Sequence, residues 1–232
     1  MRCIICNEAD YVFFGEQQYY TLYKCQNCSV IYSEYQNVRI DQGVSSVGFY
    51  GYSEEEFHSI PDLVSENIKI LNPLLSYIKH IETRTFLEIG YGRGLSLIAA
   101  SELGFREAIG VEHNSITFEE TKKHFNTKAN IYTFNDIRCV AALADVLFMW
   151  HTVEHLPDPN RFLEEITPRL NDGCVFYLQV PEYRPAYLCE THYFFYNETS
   201  LSRLLSQHNF TIMETGYDVA NQFVSVIARL DR

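Results

Sequence analysis

The chain has 232 residues, of which 47% are hydrophobic and 15% aromatic, and it carries a formal net charge of -12. This length and composition predict a globular protein with one full core and room for a small extra module, and they exclude a disordered chain. The acidic balance argues against a broad nucleic-acid-binding face, which needs Lys and Arg to neutralise phosphates. A small-molecule substrate is therefore expected, with no nucleic acid as a partner.

The sequence also lacks signals for membranes and export. No apolar run approaches the roughly 18 residues that a membrane-spanning helix needs. The first residues have neither the charged nor the apolar region of a signal peptide. We therefore expect no membrane partner and a cytoplasmic location, where thiols stay reduced. No pattern indicates an oligomeric state.

Four of the seven cysteines form two pairs near the amino terminus, with two residues inside each pair and 18 residues between the pairs. Two such pairs supply the four thiolates of a closed tetrahedral zinc site. Disulfides are the competing interpretation, which a reducing compartment disfavours. We expect a structural zinc ion, without an open position for catalysis, held by Cys3, Cys6, Cys25 and Cys28.

The residues between the cysteine pairs favour a zinc ribbon over residues 1–34. Residues 11–14 and 19–23 have the composition of short strands, and we expect Gly15 to lie near the turn that joins them. This module has two basic and four acidic residues, a net charge of -2. RNA-binding ribbons are usually basic, so the aromatic side chains are interpreted as packing around the zinc site.

Residues 35–60 show no clear period and contain glycines among polar residues, which is typical of a connecting loop or lid. Aromatic residues at 49–52 are interpreted either as a flap over a cofactor or substrate, or as an anchor of the loop on the core. The third predicted domain covers residues 61–232. It begins with an amphipathic helix from Asp62, which Pro73 should kink or divide.

Residues 85–100 predict a strand, a tight turn and a helix. The apolar run includes Glu88, and alternate positions of the turn are glycine: Gly90, Gly92 and Gly94. Glycine allows backbone conformations that other residues avoid, and the helix that follows points unpaired N–H groups at the turn. This arrangement predicts a site for a nucleotide-like ligand.

The next predicted strand, residues 108–112, ends in an acid 22 positions beyond Gly90. At that place a carboxylate accepts hydrogen bonds from both hydroxyls of a ribose, so Glu112 is the predicted ribose ligand. NAD enzymes use an acid in the same way. Glu112 therefore predicts a nucleoside ligand but does not distinguish NAD from other nucleoside cofactors. A helix over about 115–125 and a short strand over 130–134 are expected next.

Residues 144–150 form an all-apolar run, which is typical of a central parallel strand buried on both faces. A fifth strand is predicted over 173–180, and a helix over 198–208. The last two strands, 210–219 and 222–230, are separated by only a few residues, so they should pair antiparallel.

Two motifs carry a resemblance to a known family. Glu88-x-Gly-x-Gly-x-Gly resembles the first motif of class I S-adenosylmethionine-dependent methyltransferases, and the strand that runs into Glu154-His155 and then Asp158-Pro159 resembles a motif of their small-molecule members. The resemblance covers roughly residues 60–230. It implies an α/β fold with a Rossmann-like, mostly parallel seven-stranded sheet and a C-terminal antiparallel hairpin. A zinc module before such a domain resembles methyltransferases that tailor sugars and natural products.

The resemblance implies S-adenosylmethionine as the methyl donor. It implies that Glu88 and the glycine turn hold the methionine end, and that Asp136 accepts the adenine amino group while the backbone of Ile137 supports the ring. The alternative for Asp136 is a cap of the next short helix. The complete predicted cofactor-binding set is Glu88, Gly90, Tyr91, Gly92, Gly94, Glu112, His113, Asp136, Ile137 and Trp150.

Methyl transfer from a sulfonium mainly requires alignment of the acceptor and removal of its proton. His155 and His151 are the leading predictions for the catalytic base, because imidazole titrates near neutral pH and both follow the fourth strand. A purely structural role is the alternative for each. Further candidates for this step are Glu154, Glu182, His192 and Tyr193.

The predicted function is methyl transfer from S-adenosylmethionine to a small molecule, such as a sugar or nucleotide-sugar in glycan or natural-product biosynthesis, at carbon or oxygen. Two alternatives stay open. The first is an NAD(P)-dependent oxidoreductase, which Leu95 disfavours because the dinucleotide fingerprint has glycine at that position. The second is an inactive protein that binds a partner through its zinc ribbon.

Overall fold

The computed structural model describes residues 2–36, 59–114 and 130–232, so the helix predicted over 115–125 and the aromatic residues 49–52 lie outside it. The described strands are β1 (Tyr11–Gln17), β2 (Tyr20–Cys25), β3 (Ile31–Tyr35), β4 (Thr85–Ile89), β5 (Glu107–Val111), β6 (Ile131–Phe134), β7 (Ala144–Trp150), β8 (Leu170–Pro181), β9 (Phe194–Phe195), β10 (Phe210–Tyr217) and β11 (Phe223–Leu230). The described α-helices are α1 (Ile60–Leu71), α2 (Leu95–Leu103), α3 (Pro159–Ile166) and α4 (Glu198–Ser206). None of these helices combines the length and the apolar character needed to cross a bilayer.

The larger sheet has seven strands in the order β10-β11-β8-β7-β4-β5-β6. Strand β4 pairs in parallel with β5 and β7, and β5 pairs in parallel with β6. The last two strands, β10 and β11, form an antiparallel hairpin. The predicted fold class, a mostly parallel seven-stranded α/β sheet closed by a hairpin, is confirmed.

The smaller sheet has the order β1-β2-β3-β9. Its first two strands are the predicted ribbon, but the expected turn near Gly15 is wrong. Gly15 lies within β1, at a register shift of its pairing with β2, and Gln18 enters the turn with a φ of 51°. A glycine in a strand often marks such a bulge instead of a turn. The two residues of β9 pair with Ile31 and Tyr32 of β3.

The described residues divide into two compact units. The first unit contains residues 2–36, 150–167 and 178–231. Part of its interior is a cluster of Tyr20, Leu22, Ile31 and Phe195. Within this unit the amino-terminal strands therefore share a core with a strand from near the carboxyl end of the chain. The predicted domain boundaries at residues 34 and 60 stay a prediction.

The second unit contains residues 59–114, 130–149 and 168–177. Its core includes Phe86 of β4, whose ring lies 5.6 Å from that of Phe148 in β7. Both strands are largely buried, as expected for central parallel strands. Helix α1 ends at Leu71, and a 3-10 helix over Asn72–Ser76 follows, which confirms that Pro73 divides the predicted helix.

Candidate active site

The turn between β4 and α2 has the backbone that its glycines predict. Gly90, Gly92 and Gly94 have φ values of 72°, 49° and 74°, in the left-handed region that side chains other than glycine rarely adopt. The Gly90 N–H donates to Val111 O at 2.8 Å, and the Gly94 N–H donates to Tyr91 O at 2.7 Å. These bonds fix residues 90–94, called here the glycine turn, between β4, β5 and α2.

The buried residue Tyr91 ties the glycine turn to β5. A Cβ atom added at Gly110 of β5 would lie 2.5 Å from both Tyr91 Cδ1 and Leu97 Cδ1. Only glycine therefore allows the tyrosine ring and the first turn of α2 to approach this strand. In the structure Tyr91 supports the turn, and its predicted contact with a cofactor stays a prediction.

Glu88 lies near the end of β4 and is only 3% exposed. No residue in the described part of the chain donates a hydrogen bond to its Oε2. Burial raises the pKa of Glu88 well above its usual value, and the charge of Glu112 adds to that effect, while a contact with the Ser96 hydroxyl opposes it. A buried carboxyl group with a missing donor suits a cationic ligand.

Glu112 follows β5 and is 7% exposed. Its Oε2 accepts a hydrogen bond from the Gly92 N–H at 3.2 Å, and its Oε1 accepts one from the Asn114 N–H at 2.9 Å. The neighbouring His113 side chain is 94% exposed, with Nδ1 3.7 Å from Glu112 Oε1. Backbone amides therefore hold the Glu112 carboxylate beside the glycine turn, as a ribose ligand requires.

Asp136 follows β6, and Glu112 is bonded to that strand through its N–H, which donates to Phe134 O at 3.0 Å. The Asp136 side chain caps a short 3-10 helix that begins at Ile137, accepting the Arg138 N–H at 2.8 Å. The Arg138 guanidinium also pairs with this carboxylate. These bonds to Arg138 lower the pKa of Asp136 to about 2. The capping role that the sequence offered as an alternative is present, and a carboxylate has acceptor sites left for a ligand.

A second group of polar residues begins where β7 ends. His151 has a φ of 52°, unusual for a residue with a side chain, and its N–H donates to Gln179 O at 2.9 Å. Its ring lies 4.9 Å from the Phe223 ring and 5.9 Å from the Trp150 ring. The His151 side chain is 37% exposed, so a small molecule can reach it.

Glu154 is the most buried member of this group, with 0% exposure. Neither of its carboxylate oxygens has a hydrogen-bond partner among the described residues, and His151 Nδ1 lies 3.6 Å from Oε1. The ligand atoms of Glu154, His155 and His192 all lie within 4.8 Å of one another. We call His151, Glu154, His155 and His192 the histidine cluster.

The half-buried imidazoles of His155 and His192 are in different electrostatic environments. Burial lowers the pKa of His155, whose Nδ1 lies 3.0 Å from Thr191 O. Burial also opposes the charged form of His192, but the hydrogen bond and charge of Cys189 together with the charge of Glu154 outweigh it and raise the His192 pKa. Burial likewise opposes the Cys189 thiolate, but His192 and Thr191 lower the Cys189 pKa to about 7.

Cys189 was missed in the sequence. The available signal was its spacing, three residues before His192 in a loop that already held a candidate base.

The four predicted metal ligands meet in one place, called here the cysteine cluster. All four side chains are buried, with Cys3 Sγ 3.7 Å from Cys28 Sγ and Cys6 Sγ 3.6 Å from Cys25 Sγ. These distances exclude disulfides, whose sulfurs are about 2.05 Å apart. They match the edges of about 3.8 Å of a tetrahedron with metal–sulfur bonds of about 2.3 Å.

Matching backbone turns hold the two cysteine pairs. The Asn7 N–H donates to Cys3 O at 2.9 Å, and the Ser29 N–H donates to Cys25 O at 3.1 Å. Asn7 and Ser29 both have positive φ values, 54° and 62°. Cys25 Sγ also accepts a backbone N–H from Asn27 at 3.4 Å. The residues present therefore fit a structural zinc ion.

The predicted site residues thus fall into two sets, one in each unit. The second unit brings together Glu88, Gly90, Tyr91, Gly92, Gly94, Glu112, His113, Asp136 and Ile137. The first unit holds Trp150, the histidine cluster and the cysteine cluster.

Comparisons with known proteins agree with this geometry. Over residues 54–215 the sequence matches the family model of a methyltransferase domain. No curated relative matches it. A SAM-dependent methyltransferase from Aquifex aeolicus is similar in structure, with a TM-score of 0.57 and 16% identity over 72% of this chain and 98% of that chain.

Two further solved structures show the same fold. The carbon methyltransferase CurJ has a TM-score of 0.59 and 17% identity, over 73% of this chain and 55% of that chain. Magnesium protoporphyrin IX methyltransferase (ChlM) from Synechocystis PCC 6803, solved with bound SAH, has a TM-score of 0.56 and 12% identity, over 82% of this chain and 90% of that chain.

Proposed function

This chain belongs to the methyltransferase-domain family, and from that premise we propose that it transfers a methyl group from S-adenosylmethionine to a small molecule, such as a sugar or nucleotide-sugar. The observation that carries the proposal is the buried Glu88 beside the glycine turn. Its Oε2 has no donor among the described residues. The ammonium group in the methionine part of S-adenosylmethionine would donate this hydrogen bond, and it would favour the ionised form of a carboxyl group whose pKa burial raises.

The other residues of the second unit suit the nucleoside. When bound, S-adenosylmethionine supplies a methyl group on a positively charged sulfur that leaves readily. Each Glu112 oxygen keeps an acceptor site after its backbone hydrogen bond, which suits two ribose hydroxyls. Asp136 accepts the adenine amino group while it caps its helix. Because backbone amides and Arg138 already hold these two carboxylates, binding requires little reorganisation.

The histidine cluster takes the proton from the acceptor. His155, His151 and His192 stay the proposed catalytic residues, and His151 is best suited to receive the proton because its side chain is accessible. Glu154 Oε1 lies 3.6 Å from His151 Nδ1, so a carboxyl group is next to the ring that receives the proton. His155 and His192 are more buried and surround the same carboxylate.

Aromatic rings of the first unit support a sugar-like acceptor. Tyr187 and Phe223 lie 5.6 Å apart, and Tyr187 Oη donates to Gln222 Oε1 at 2.8 Å. The two rings give a sugar a flat apolar face, and the hydroxyl of Tyr187 and the amide of Gln222 add polar groups beside it. Either a carbon or an oxygen of the acceptor is methylated in this proposal.

We propose that the four cysteines of the cysteine cluster bind one structural zinc ion. Four thiolates close the coordination sphere, so the ion takes no part in methyl transfer and stabilises the ribbon. A reducing compartment, as in the cytoplasm, keeps these thiols available for the metal.

The test is transfer of label from S-adenosylmethionine. The protein is incubated with the labelled donor and with nucleotide-sugar and small-metabolite fractions, and the labelled product is identified. We expect one product class, made by the wild type and by His80→Gln, a control at an exposed histidine, and lost in His151→Gln. Binding of the donor without a labelled product in any fraction would contradict the proposal and favour an inactive binding protein.

A further inference from the structure

The histidine cluster has a feature that proton transfer alone leaves unexplained. Glu154 is fully buried, and neither carboxylate oxygen receives a hydrogen bond from the described residues. A buried carboxylate without donors is costly, because it loses its hydration without compensation. Such a group is retained when a bound cation or a charged neighbour compensates it.

The surrounding atoms are spaced for a cation. Glu154, His155 and His192 each offer one ligand atom, and these atoms lie within 4.8 Å of one another. Atoms bound to one ion at roughly 2.0–2.2 Å are at most about 4.3 Å apart. Small side-chain rotations therefore bring all three to one ion.

The imidazoles are also oriented for this role. His155 Nδ1 lies 3.0 Å from Thr191 O, so its N–H donates to this carbonyl and the Nε2 lone pair is left for a ligand bond. Metal-binding histidines usually donate their second N–H in this way. Buried Nδ1 of His192 has no hydrogen-bond partner among the described residues.

We propose that Glu154, His155 and His192 bind one divalent transition-metal ion, separate from the zinc of the cysteine cluster. Two imidazoles and one carboxylate suit such ions and leave coordination positions open. An oxygen-bearing acceptor occupies an open position through its hydroxyl or carbonyl oxygen. The metal site stands on its own geometry, whereas this role for it rests on the proposed methyl transfer.

The chemistry balances for a hydroxyl acceptor. The ion withdraws electron density from the oxygen and weakens its O–H bond. The proton passes to His151, and the oxygen lone pair forms the new bond to the methyl carbon. The electrons of the broken carbon–sulfur bond remain on the sulfur. His155 and His192 then act as ligands, and His151 receives the proton.

The test uses cobalt(II) as the probe. Protein whose cysteine cluster is already loaded with zinc is titrated with Co²⁺, and bound metal is measured by absorption spectroscopy and elemental analysis. We expect one cobalt per chain, with d–d absorption but without the thiolate-to-cobalt charge transfer of a cysteine site. Loss of a residue that hydrogen-bonds a metal ligand weakens metal binding roughly 10–100-fold. Glu154→Gln removes a ligand itself and should weaken cobalt binding by no less than that, whereas His80→Gln should leave it unchanged.

The wild type alone can overturn the proposal. If zinc-loaded wild type takes up no cobalt, then Glu154, His155 and His192 hold no metal. Should Glu154→Gln fail to fold by circular dichroism, His192→Gln replaces it. Titration of the same samples with S-adenosylhomocysteine tests the proposed methyl transfer separately from the proposed metal site. If S-adenosylhomocysteine does not bind, the methyltransferase proposal is contradicted, and the cobalt result still decides the metal site.

Discussion

One buried glutamate, Glu112, lies beside the glycine turn, and another, Glu154, belongs to the histidine cluster, but the two differ in how their carboxylate oxygens are hydrogen-bonded. Glu112 accepts two backbone N–H groups from residues close to it in the folded chain. Glu154 accepts no hydrogen bond from any described residue. Backbone amides prepare a carboxylate before a ligand arrives, whereas a carboxylate surrounded by side chains depends on what binds there. We infer a preformed nucleoside site in the second unit and a site completed by a cation in the first.

Removing zinc should change the difference between the two units most, because the first unit then loses an ion that its buried thiolates require and becomes less stable. Structural zinc sites in small modules contribute on the order of 10 kcal/mol to folding. We expect Cys25→Ser, or chelation of the metal, to unfold β1 to β3. Hydrogen exchange of the amides in β2 measures this, with the second unit as an internal reference.

Cys139→Ser is the matched control for zinc removal, because this cysteine is exposed and lies outside the cluster. Equal protection of β2 with and without zinc would show that the cysteine cluster is not a structural metal site.

The second unit should be most sensitive at Gly110. A Cβ there would lie 2.5 Å from Tyr91 and Leu97 side-chain atoms, so Gly110→Ala forces the glycine turn and α2 away from β5. Overpacking of this kind costs about 1–3 kcal/mol. Denaturant unfolding should show that loss, together with weaker binding of S-adenosylhomocysteine.

Gly216→Ala is the control for overpacking, because nothing lies within 4 Å of the Cβ position and Gly216 also belongs to a strand. If Gly110→Ala were as stable as Gly216→Ala, the close packing of Tyr91 on β5 would be contradicted.

Glu88→Gln should separate stability from binding. The pKa of Glu88 is raised in the folded state by burial, so ionisation of this residue favours the unfolded state. Its destabilising effect is absent below the unfolded pKa and grows as pH rises toward the folded pKa. The variant without ligand should therefore have a higher Tm than wild type at pH 7 and an equal Tm at pH 4.

The same variant should bind S-adenosylhomocysteine about tenfold more weakly, because a bond to a charged group contributes roughly 1.5–3 kcal/mol. Glu102→Gln, at an exposed position of α2, should change neither quantity. A lower Tm with unchanged affinity would mean that Glu88 has a structural role only.

The smallest expected effect concerns Asp136. Its pKa of about 2 depends mainly on hydrogen bonds from Arg138. In Arg138→Gln the side-chain bonds are lost while the backbone N–H remains, so the Asp136 pKa should rise toward its usual value with little change in stability. NMR titration of the carboxyl carbon measures it, and an unchanged pKa would show that the backbone cap alone sets the charge.

The parts of the fold and site that the sequence predicted are those encoded by neighbouring residues. The alternate glycines specified the turn, and paired cysteines at two-residue spacing specified one cluster. The run at 144–150 matched strand β7. In each case residues that are close together in the sequence determine the backbone conformation or supply the metal ligands.

The parts that the sequence did not predict depend on contacts between distant segments. Strand β9 has two residues, too few for a recognisable period, and it forms because β3 offers an edge. Gly15 led to the prediction of a turn, but the pairing of β1 with β2 continues past this residue with a shift in register. The histidine cluster depends on a loop 36 residues beyond His155, which supplies the Thr191 carbonyl 3.0 Å from His155 Nδ1.

The central claim is that the second unit holds an adenosine linked to a methionine-like group. Isothermal titration calorimetry of the intact protein with S-adenosylhomocysteine and, separately, with NADH tests it most directly. We predict one S-adenosylhomocysteine bound per chain, weakened in Glu88→Gln, and no measurable heat with NADH. Absence of S-adenosylhomocysteine binding, or equal binding of NADH, would contradict the account.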